Sequence, residues 1–507
     1  MKFIKNGFLN KIKKNYLLIL IIILGASLRF YGLSFESFWL DETATAIAVR
    51  DYTAIEVIKN SIDYGNVRPE YFKHVVNDLP FYFASLDFWS ELFGISEFSL
   101  RFFSAIFGTL SIFMVFLVAK ELTNRKVALL SALIFSLSMI NIQFSQEARV
   151  YSFLTFIALS SIYFLIMSLK TGKLVYLSVY AILNIIGLNS HFVFIFFVFF
   201  QALYILLMFK FYPKYAKKVL IALFIVGLLF LPWVPRLLNQ GEGAGTFLDK
   251  PSFGSVVKIG VGFNTWIYPS TNLKENINSR DFLNFSVYDV VLIGSIVLLV
   301  AIISISFIIG IIKNQSFIEK KWVILLILWF LIPFLSELIL SIIHPTATLF
   351  GPIRYLIYST PAYIIFVSMG ISRLNKNYTK AIVILLIILS MPALISYYVN
   401  FDKDQWREAI LFMKENLKDD DIILVHAPNT EQPFYYYYGK SNILYPVYNV
   451  SHASKITVNS NSIWLVLSFD KYTDPSGSIK NYFDRNFELK QNKELFNIRI
   501  FNYCKDC

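Results

Sequence analysis

Phe38-Trp39-Leu40-Asp41-Glu42-Thr43 follows an apolar span, Tyr16–Leu28, after the polar hinge Arg29-Phe30-Tyr31-Gly32-Leu33. Two adjacent acids at the mouth of a membrane helix cost free energy unless water, a cation or a substrate meets them. Asp41 and Glu42 are therefore functional candidates. The plain alternative is an interface anchor, Phe38 and Trp39, followed by solvated acids, because Trp favours the headgroup level. Taken by themselves, the residues leave both readings open.

Working outward, the whole chain reads as a membrane protein. Of its 507 residues 56% are hydrophobic, 17% aromatic and only 16% charged. Soluble domains carry about 25% charged residues, so lipid is the solvent for more than half of this chain. A net charge of +12 raises the question of nucleic acid. Residues 400–507, however, hold 13 basic and 14 acidic side chains, so the excess lies entirely before residue 400. Short basic loops that orient helices account for it, with no nucleic acid partner. Both cysteines, Cys504 and Cys507, sit at the C-terminus. They are too few for a disulfide framework and lack nearby zinc ligands, so the pair reads as incidental to function, with a terminal disulfide as the alternative.

Apolar spans fall near 15–33, 100–119, 127–142, 151–169, 174–189, 191–209, 218–237, 288–312, 322–343, 353–371 and 379–399. Each is close to the length a bilayer requires. The first also fits a signal peptide, but Asp41 follows so closely that an uncleaved helix is preferred. Two stretches, 34–96 and 238–287, are too polar to span. Within the first, Thr43–Ile58 and Phe81–Phe93 read as helices lying at the interface. The second contains Gly241-Glu242-Gly243-Ala244-Gly245 and is expected to be a mobile loop that gates the site.

Orientation follows from charge. The N-terminus and the connections at 120–126, 170–173, 210–218, 313–321 and 373–380 together hold 20 Lys/Arg and two acids, Glu121 and Glu319. Threading eleven spans alternately puts all of them on one side, which is then cytoplasmic. Asp41, the loops 34–96 and 238–287 and everything after residue 400 face outward. In that tail Asp404–Leu417 has a helical pattern, Asp421–His426 and Ile463–Ser468 look like buried strands, and Phe487–Phe501 is extended. The expected fold class is a polytopic α-helical membrane domain, residues 1–399, with about 11 transmembrane helices, followed by a small extracytoplasmic α/β domain, residues 400–507.

The outer ends of the spans carry Arg29, Asp41, Glu42, Asp78, Arg101, Glu147, Arg149, His191 and Arg354, while the helix centres are nearly free of charge. Proton-coupled transporters place ionisable groups near the midplane, so a transporter or flippase of a lipid is the weaker alternative. Glu337 and Asn184 are the exceptions, and the bland reading of Glu337 is a carboxyl satisfied by a neighbouring helix. Each outer residue has a bland reading too: Glu147 and Arg149 as a local ion pair, Arg354 as a snorkelling side chain, His191 as a cap. Together they place acids and arginines on one membrane face, which suits a reaction needing a base and an anion clamp.

These residues also carry a resemblance. Arg29-Phe30-Tyr31-Gly32-Leu33 with Phe38-Trp39-Leu40-Asp41-Glu42 resembles the first helix and first outer loop of glycosyltransferase family 39, which includes protein O-mannosyltransferases and aminoarabinose transferases of the GT-C membrane fold. The likeness continues through Asp78-Leu79-Pro80-Phe81-Tyr82, Ser96-Glu97, Arg101-Phe102-Phe103-Ser104-Ala105, Ser145-Gln146-Glu147-Ala148-Arg149-Val150-Tyr151 and Arg354-Tyr355-Leu356, over about residues 1–400. Asp78 departs from the family's usual His. The resemblance implies transfer of a sugar from a polyprenyl-phosphate donor to a protein, lipid or glycan acceptor at the outer face of the cell membrane, by inverting displacement. Asp41 would be the base and Arg354 the first choice to hold the phosphate, with Arg149 second. Glu42, Asp78, Glu147, Tyr151, His191 and Tyr355 would line the site. The chemistry requires no cofactor; a divalent metal is compatible with it, and Asp41 with Asp78 would supply oxygens.

Overall fold

The computed structural model describes residues 2–53, 55–56, 79–235, 251–264, 287–312, 318–343, 352–427, 430–439, 441–457 and 461–505. Asp78 and the expected gate at 241–245 lie outside the described residues. The expected spans fall largely on helix, but 127–142 is broken at Ser138 into two helices and 353–371 opens as a 3-10 turn. In chain order the first half comprises α1 (Lys2–Phe30), α2 (Leu40–Asp51), α3 (Pro80–Phe93), α4 (Glu97–Leu122), α5 (Arg125–Leu137), α6 (Met139–Gln143), α7 (Tyr151–Thr171), α8 (Leu174–Leu188) and α9 (Phe194–Leu207). The second half of the bundle comprises α10 (Pro213–Phe230), α11 (Phe253–Asn264), α12 (Val287–Ile312), α13 (Lys320–Ile343), a 3-10 turn (Ile353–Ser359), α14 (Thr360–Ser372) and α15 (Lys376–Val399). Among the described residues seven helices are long and apolar enough to cross a membrane, and three shorter apolar ones lie at 15–30, 174–188 and 194–207. The loop 238–287, read as polar, contains α11.

Apolar chain in lipid must satisfy its backbone internally, which is why these segments are helical whatever their intrinsic propensity. Side chains set the ends. Ser96 Oγ accepts from the Ser99 N–H at 3.1 Å, Asn124 Oδ1 from Val127 at 3.1 Å and Asn375 Oδ1 from Tyr378 at 3.0 Å, capping α4, α5 and α15. Small residues set the closest approach. A Cβ at Gly370 would stand 1.8 Å from the Ser306 carbonyl oxygen, and one at Gly310 1.9 Å from that of Phe366, so α12 and α14 cross backbone to backbone. Deep in the bundle Asn184 donates to Ser161 Oγ and Gln201 donates to Asn184 Oδ1, both at 3.0 Å, tying α7, α8 and α9 together. Glu337 is different: it is buried, and neither carboxylate oxygen has a hydrogen-bond partner among the described residues, so the expected satisfaction by a neighbouring helix is not seen.

The basic connections meet at one end of the bundle. Lys170 pairs with Glu121 at 2.9 Å, Lys126 donates to the Ser372 carbonyl at 2.8 Å, and Lys321 lies over the Tyr212 ring at 5.1 Å. At the opposite end the polypeptide leaves α15 and enters a five-stranded sheet. Its strands are β1 (Ile422–His426), β2 (Leu444–Pro446), β3 (Ser462–Ser468), β4 (Glu488–Leu495) and β5 (Ile498–Cys504), in the order β2-β1-β3-β5-β4. The first three are parallel, and β5 joins β3 antiparallel and carries β4 on its edge. Successive strand residues face opposite sides, so Ile423 and Val425 pack with Trp406, Met413 and Phe434 while Leu424 packs with Ile479 and Phe483. The segment read as a single extended stretch, 487–501, is a hairpin turned at Asn497, whose φ is 59°. Cys504 is disulfide-bonded.

This layer rests on the hinge loop and α2. The Arg407 guanidinium donates to the carbonyls of Ser34 and Phe35. Tyr437 accepts from the Phe38 N–H at 2.6 Å and donates to Glu97 at 2.9 Å, and Tyr435 donates to Asp51 at 2.8 Å. The tyrosine run 435–438 is thus a docking surface.

Candidate active site

Successive residues of a helix diverge by about 100°, so the two acids of α2's first turn cannot share a direction. Glu42 points into the protein and is fully buried. Its Oε1 accepts from Arg101 Nε at 2.8 Å and from the Ala148 N–H at 2.8 Å; its Oε2 accepts from Arg101 at 2.7 Å and Lys403 at 3.2 Å. Burial alone would raise this carboxyl, but the Arg101 and Lys403 charges, with the hydrogen bonds from Arg101 and the Ala148 amide, outweigh it and hold Glu42 at about 2. Arg101 spends its remaining donors on the carbonyls of Leu33, Glu36 and Ser37. The pair therefore fixes the hinge loop in place.

Asp41 takes the other direction. Its Oδ2 stands 3.3 Å from Arg354, and the two side chains are 28% and 25% exposed, so a ligand can reach both. Arg354 lies over the rings of Tyr355 at 5.4 Å and Trp39 at 6.0 Å. Its Nε, like Trp39 Nε1, is buried without a hydrogen-bond partner among the described residues. Arg149 donates to the Asp41 carbonyl at 3.3 Å and to Thr45 Oγ1 at 3.0 Å, bracing α2 from below. Beyond it Tyr151, His191 and Tyr355 form an aromatic floor, with ring centroids 6.1, 5.6 and 6.4 Å apart for Tyr151–His191, His191–Tyr355 and Tyr151–Tyr355. His191 Nδ1 accepts from the Val193 N–H at 3.3 Å, a local role close to the cap expected of it.

Glu147 completes the group. It is buried, its Oε1 accepts from Gln143 at 3.3 Å, and its Oε2 has no hydrogen-bond partner among the described residues. The Arg149 guanidinium donates to α2, to the Asp41 carbonyl and Thr45 Oγ1. Burial pushes the Glu147 carboxyl up to about 7; Glu42 adds to the rise, while Lys403, Arg354 and the Gln143 hydrogen bond pull the other way.

Of the residues singled out in the sequence, Asp41, Glu42, Glu147, Arg149, Tyr151, His191, Arg354 and Tyr355 come together at one end of the bundle. Asp78 lies outside the described residues. Two members were missed: Trp39, read only as an anchor, and Lys403, which sits between Asp402 and Asp404 and looks solvated in the sequence. Among the described residues no group of three or more His, Cys, Asp or Glu is placed to hold a metal ion.

Comparisons with known proteins agree with this architecture. Residues 78–237 match the family model described as dolichyl-phosphate-mannose-protein mannosyltransferase. An uncharacterized protein of Aquifex aeolicus (strain VF5) is 30% identical over 152 residues, 30% of this chain and 29% of the relative, so the match spans less than a third of that relative's length. ArnT from Cupriavidus metallidurans superposes in its apo state with a TM-score of 0.57 at 10% identity, over 96% of this chain and 97% of that one. The same protein bound to undecaprenyl phosphate gives 0.56 at 11% identity, over 96% and 98%. The Archaeoglobus fulgidus oligosaccharyltransferase in complex with Zn and sulfate gives 0.54 at 13% identity, over 96% and 73%. At these identities the likeness is one of fold. The chain is a multi-pass membrane protein that shares the fold of these structures and carries a small C-terminal sheet.

Proposed function

We propose that this protein is a membrane glycosyltransferase that moves a sugar from a polyprenyl-phosphate donor to an acceptor hydroxyl or amine at the outer face of the membrane. The observation that carries this reading is the Asp41–Arg354 pair, a carboxylate and a guanidinium 3.3 Å apart and open to a ligand at the end of a helical bundle. The match to the mannosyltransferase family model and the fold shared with ArnT, one structure of which holds undecaprenyl phosphate, support it.

In this reading the donor phosphate takes over Arg354, whose planar fork suits a phosphate, and so frees the Asp41 carboxylate. The acceptor heteroatom then attacks the anomeric carbon from the opposite face. The bond from that carbon to the phosphate oxygen breaks, its electron pair stays with the phosphate, and the acceptor proton passes to Asp41. Trp39, Tyr151, His191 and Tyr355 shape the sugar pocket. Arg149, already engaged with α2, serves as a brace and second phosphate contact. Glu42, on the same turn of α2 as Asp41, holds the hinge loop through Arg101 and does not meet substrate. No cofactor is needed for these steps, and a divalent metal remains compatible with them.

Residues 1–399 and 400–507 are read as two domains, with the N-terminus cytoplasmic and the C-terminal domain outside. A reporter fused to the C-terminus that is active only in the cytoplasm should then be silent; activity there would overturn the orientation. The reaction is tested with purified protein in nanodiscs and a polyprenyl-phosphate sugar. Arg354→Ala should weaken both donor binding and single-turnover release of polyprenyl phosphate, because the contact forms in the ground state and strengthens as charge develops. Wild-type protein that binds the polyprenyl-phosphate sugar and never breaks its sugar–phosphate bond would instead make this a carrier of the lipid.

A further inference from the structure

Residues 402–404 reach the active site from the far end of the chain. The N–H groups of Asp402 and Lys403 donate to the Glu36 carboxylate, and Ser37 Oγ donates to the Asp404 carbonyl at 2.6 Å. Between these anchors the Lys403 side chain runs inward and is only 8% exposed. Its Nζ donates to Glu42 Oε2 at 3.2 Å and to the Gln146 carbonyl at 3.3 Å. Glu42 Oε1 in turn accepts from the Ala148 N–H at 2.8 Å. Both peptide groups flanking Glu147 are therefore held, one by Lys403 itself and the other by the carboxylate that Lys403 pairs with.

We propose that Lys403, supplied by the C-terminal domain, is a positioning residue of the active site that holds Glu147 as a second carboxyl group beside Arg354. The open oxygen of Glu147 takes a polar hydrogen of the ligand, a hydroxyl of the donor sugar or of the acceptor. That last role rests on the transferase reading; the clamp does not. Glu147 is faced by Lys403 from the C-terminal segment, Glu42 from α2, Arg354 from the 3-10 turn and Tyr397 from α15. Burial and Glu42 favour its protonated form, and Lys403 and Arg354 favour the ionised one. Neutralising Lys403 removes a pull toward ionisation, so the Glu147 midpoint must rise.

The measurement is infrared difference spectroscopy of the full-length protein in lipid, titrating the protonated-carboxyl band that Glu147→Gln abolishes. In Lys403→Met the midpoint should move up by about one pH unit, the size expected when one nearby opposite charge is lost, and in Lys403→Arg it should return close to wild type. Should Lys403→Met not fold, Lys403→Gln keeps a donor for the Gln146 carbonyl while losing the charge, and carries the same expectation. An unmoved midpoint in the neutral variant overturns the proposal, since a merely structural lysine would leave it where it is. The band is read without substrate. A shifted midpoint in a protein that transfers no sugar would therefore reject the transferase reading and keep the clamp.

Discussion

Asp41→Asn should lower single-turnover sugar transfer by about 10²–10⁴-fold, the usual worth of a positioned general base, while donor binding does not weaken. The amide keeps the shape of the side chain but cannot accept the acceptor's proton. It also releases Arg354 from the 3.3 Å pair, leaving the guanidinium freer to meet a phosphate. The signature is thus a loss confined to the chemical step, opposite to that of Arg354→Ala, which loses binding as well. Polyprenyl-phosphate affinity and single-turnover transfer, measured on the same nanodisc preparations, separate the two. Transfer at near wild-type rate by Asp41→Asn would remove Asp41 as the base and leave Glu147, with its open oxygen, as the described carboxyl in line for that role.

Glu42→Ala should act on the fold rather than the rate. The side chain is fully buried and joins Arg101, Lys403 and the Ala148 amide. Removing it leaves two cations buried without their counter-charge, a loss of about 3–5 kcal/mol when a buried pair is broken from one side. Natural domains are stable by only about 5–15 kcal/mol, so most of the protein should fail to reach or keep its native state in detergent. A thermal melt close to wild type would show that the network does not hold the hinge loop. The carboxyl also predicts acid lability. Its folded value of about 2 lies below the ordinary 4.5. The stability it contributes is therefore complete above about 4.5 and lost as pH falls toward 2. Glu42→Gln should flatten that part of the melt-against-pH curve.

Much of this was legible from the chain alone. Long apolar runs announce helices because lipid offers the backbone no other partner, and the described parts of these runs are largely helical. Clustering acids and arginines at the span ends likewise pointed to one face. The division of labour between Asp41 and Glu42 was not legible, since adjacent letters do not say which one the helix turns inward. Lys403 was hidden for a different reason. Its partner Glu42 lies 361 residues earlier, and only the docking of a separate sheet brings them together. The same holds for Tyr435 and Tyr437, which read as a local aromatic run and prove to hold residues 38 and 51. The loop 238–287 looked uniformly polar, because the amphipathic period of Phe253–Asn264 is brief against its surroundings.

The docking of residues 402–404 on the hinge loop sets an order of assembly. Arg101 follows Glu42 by 59 positions, so their contact is available as soon as the first few helices have been made. Lys403 emerges only with the last fifth of the polypeptide, after every helix of the bundle. A nascent chain still attached to the ribosome short of that point lacks the clamp on the peptide groups around Glu147. Completion of the site is then the last event of assembly, and a chain stopped between the end of α15 and residue 403 carries the helices of the bundle without this clamp.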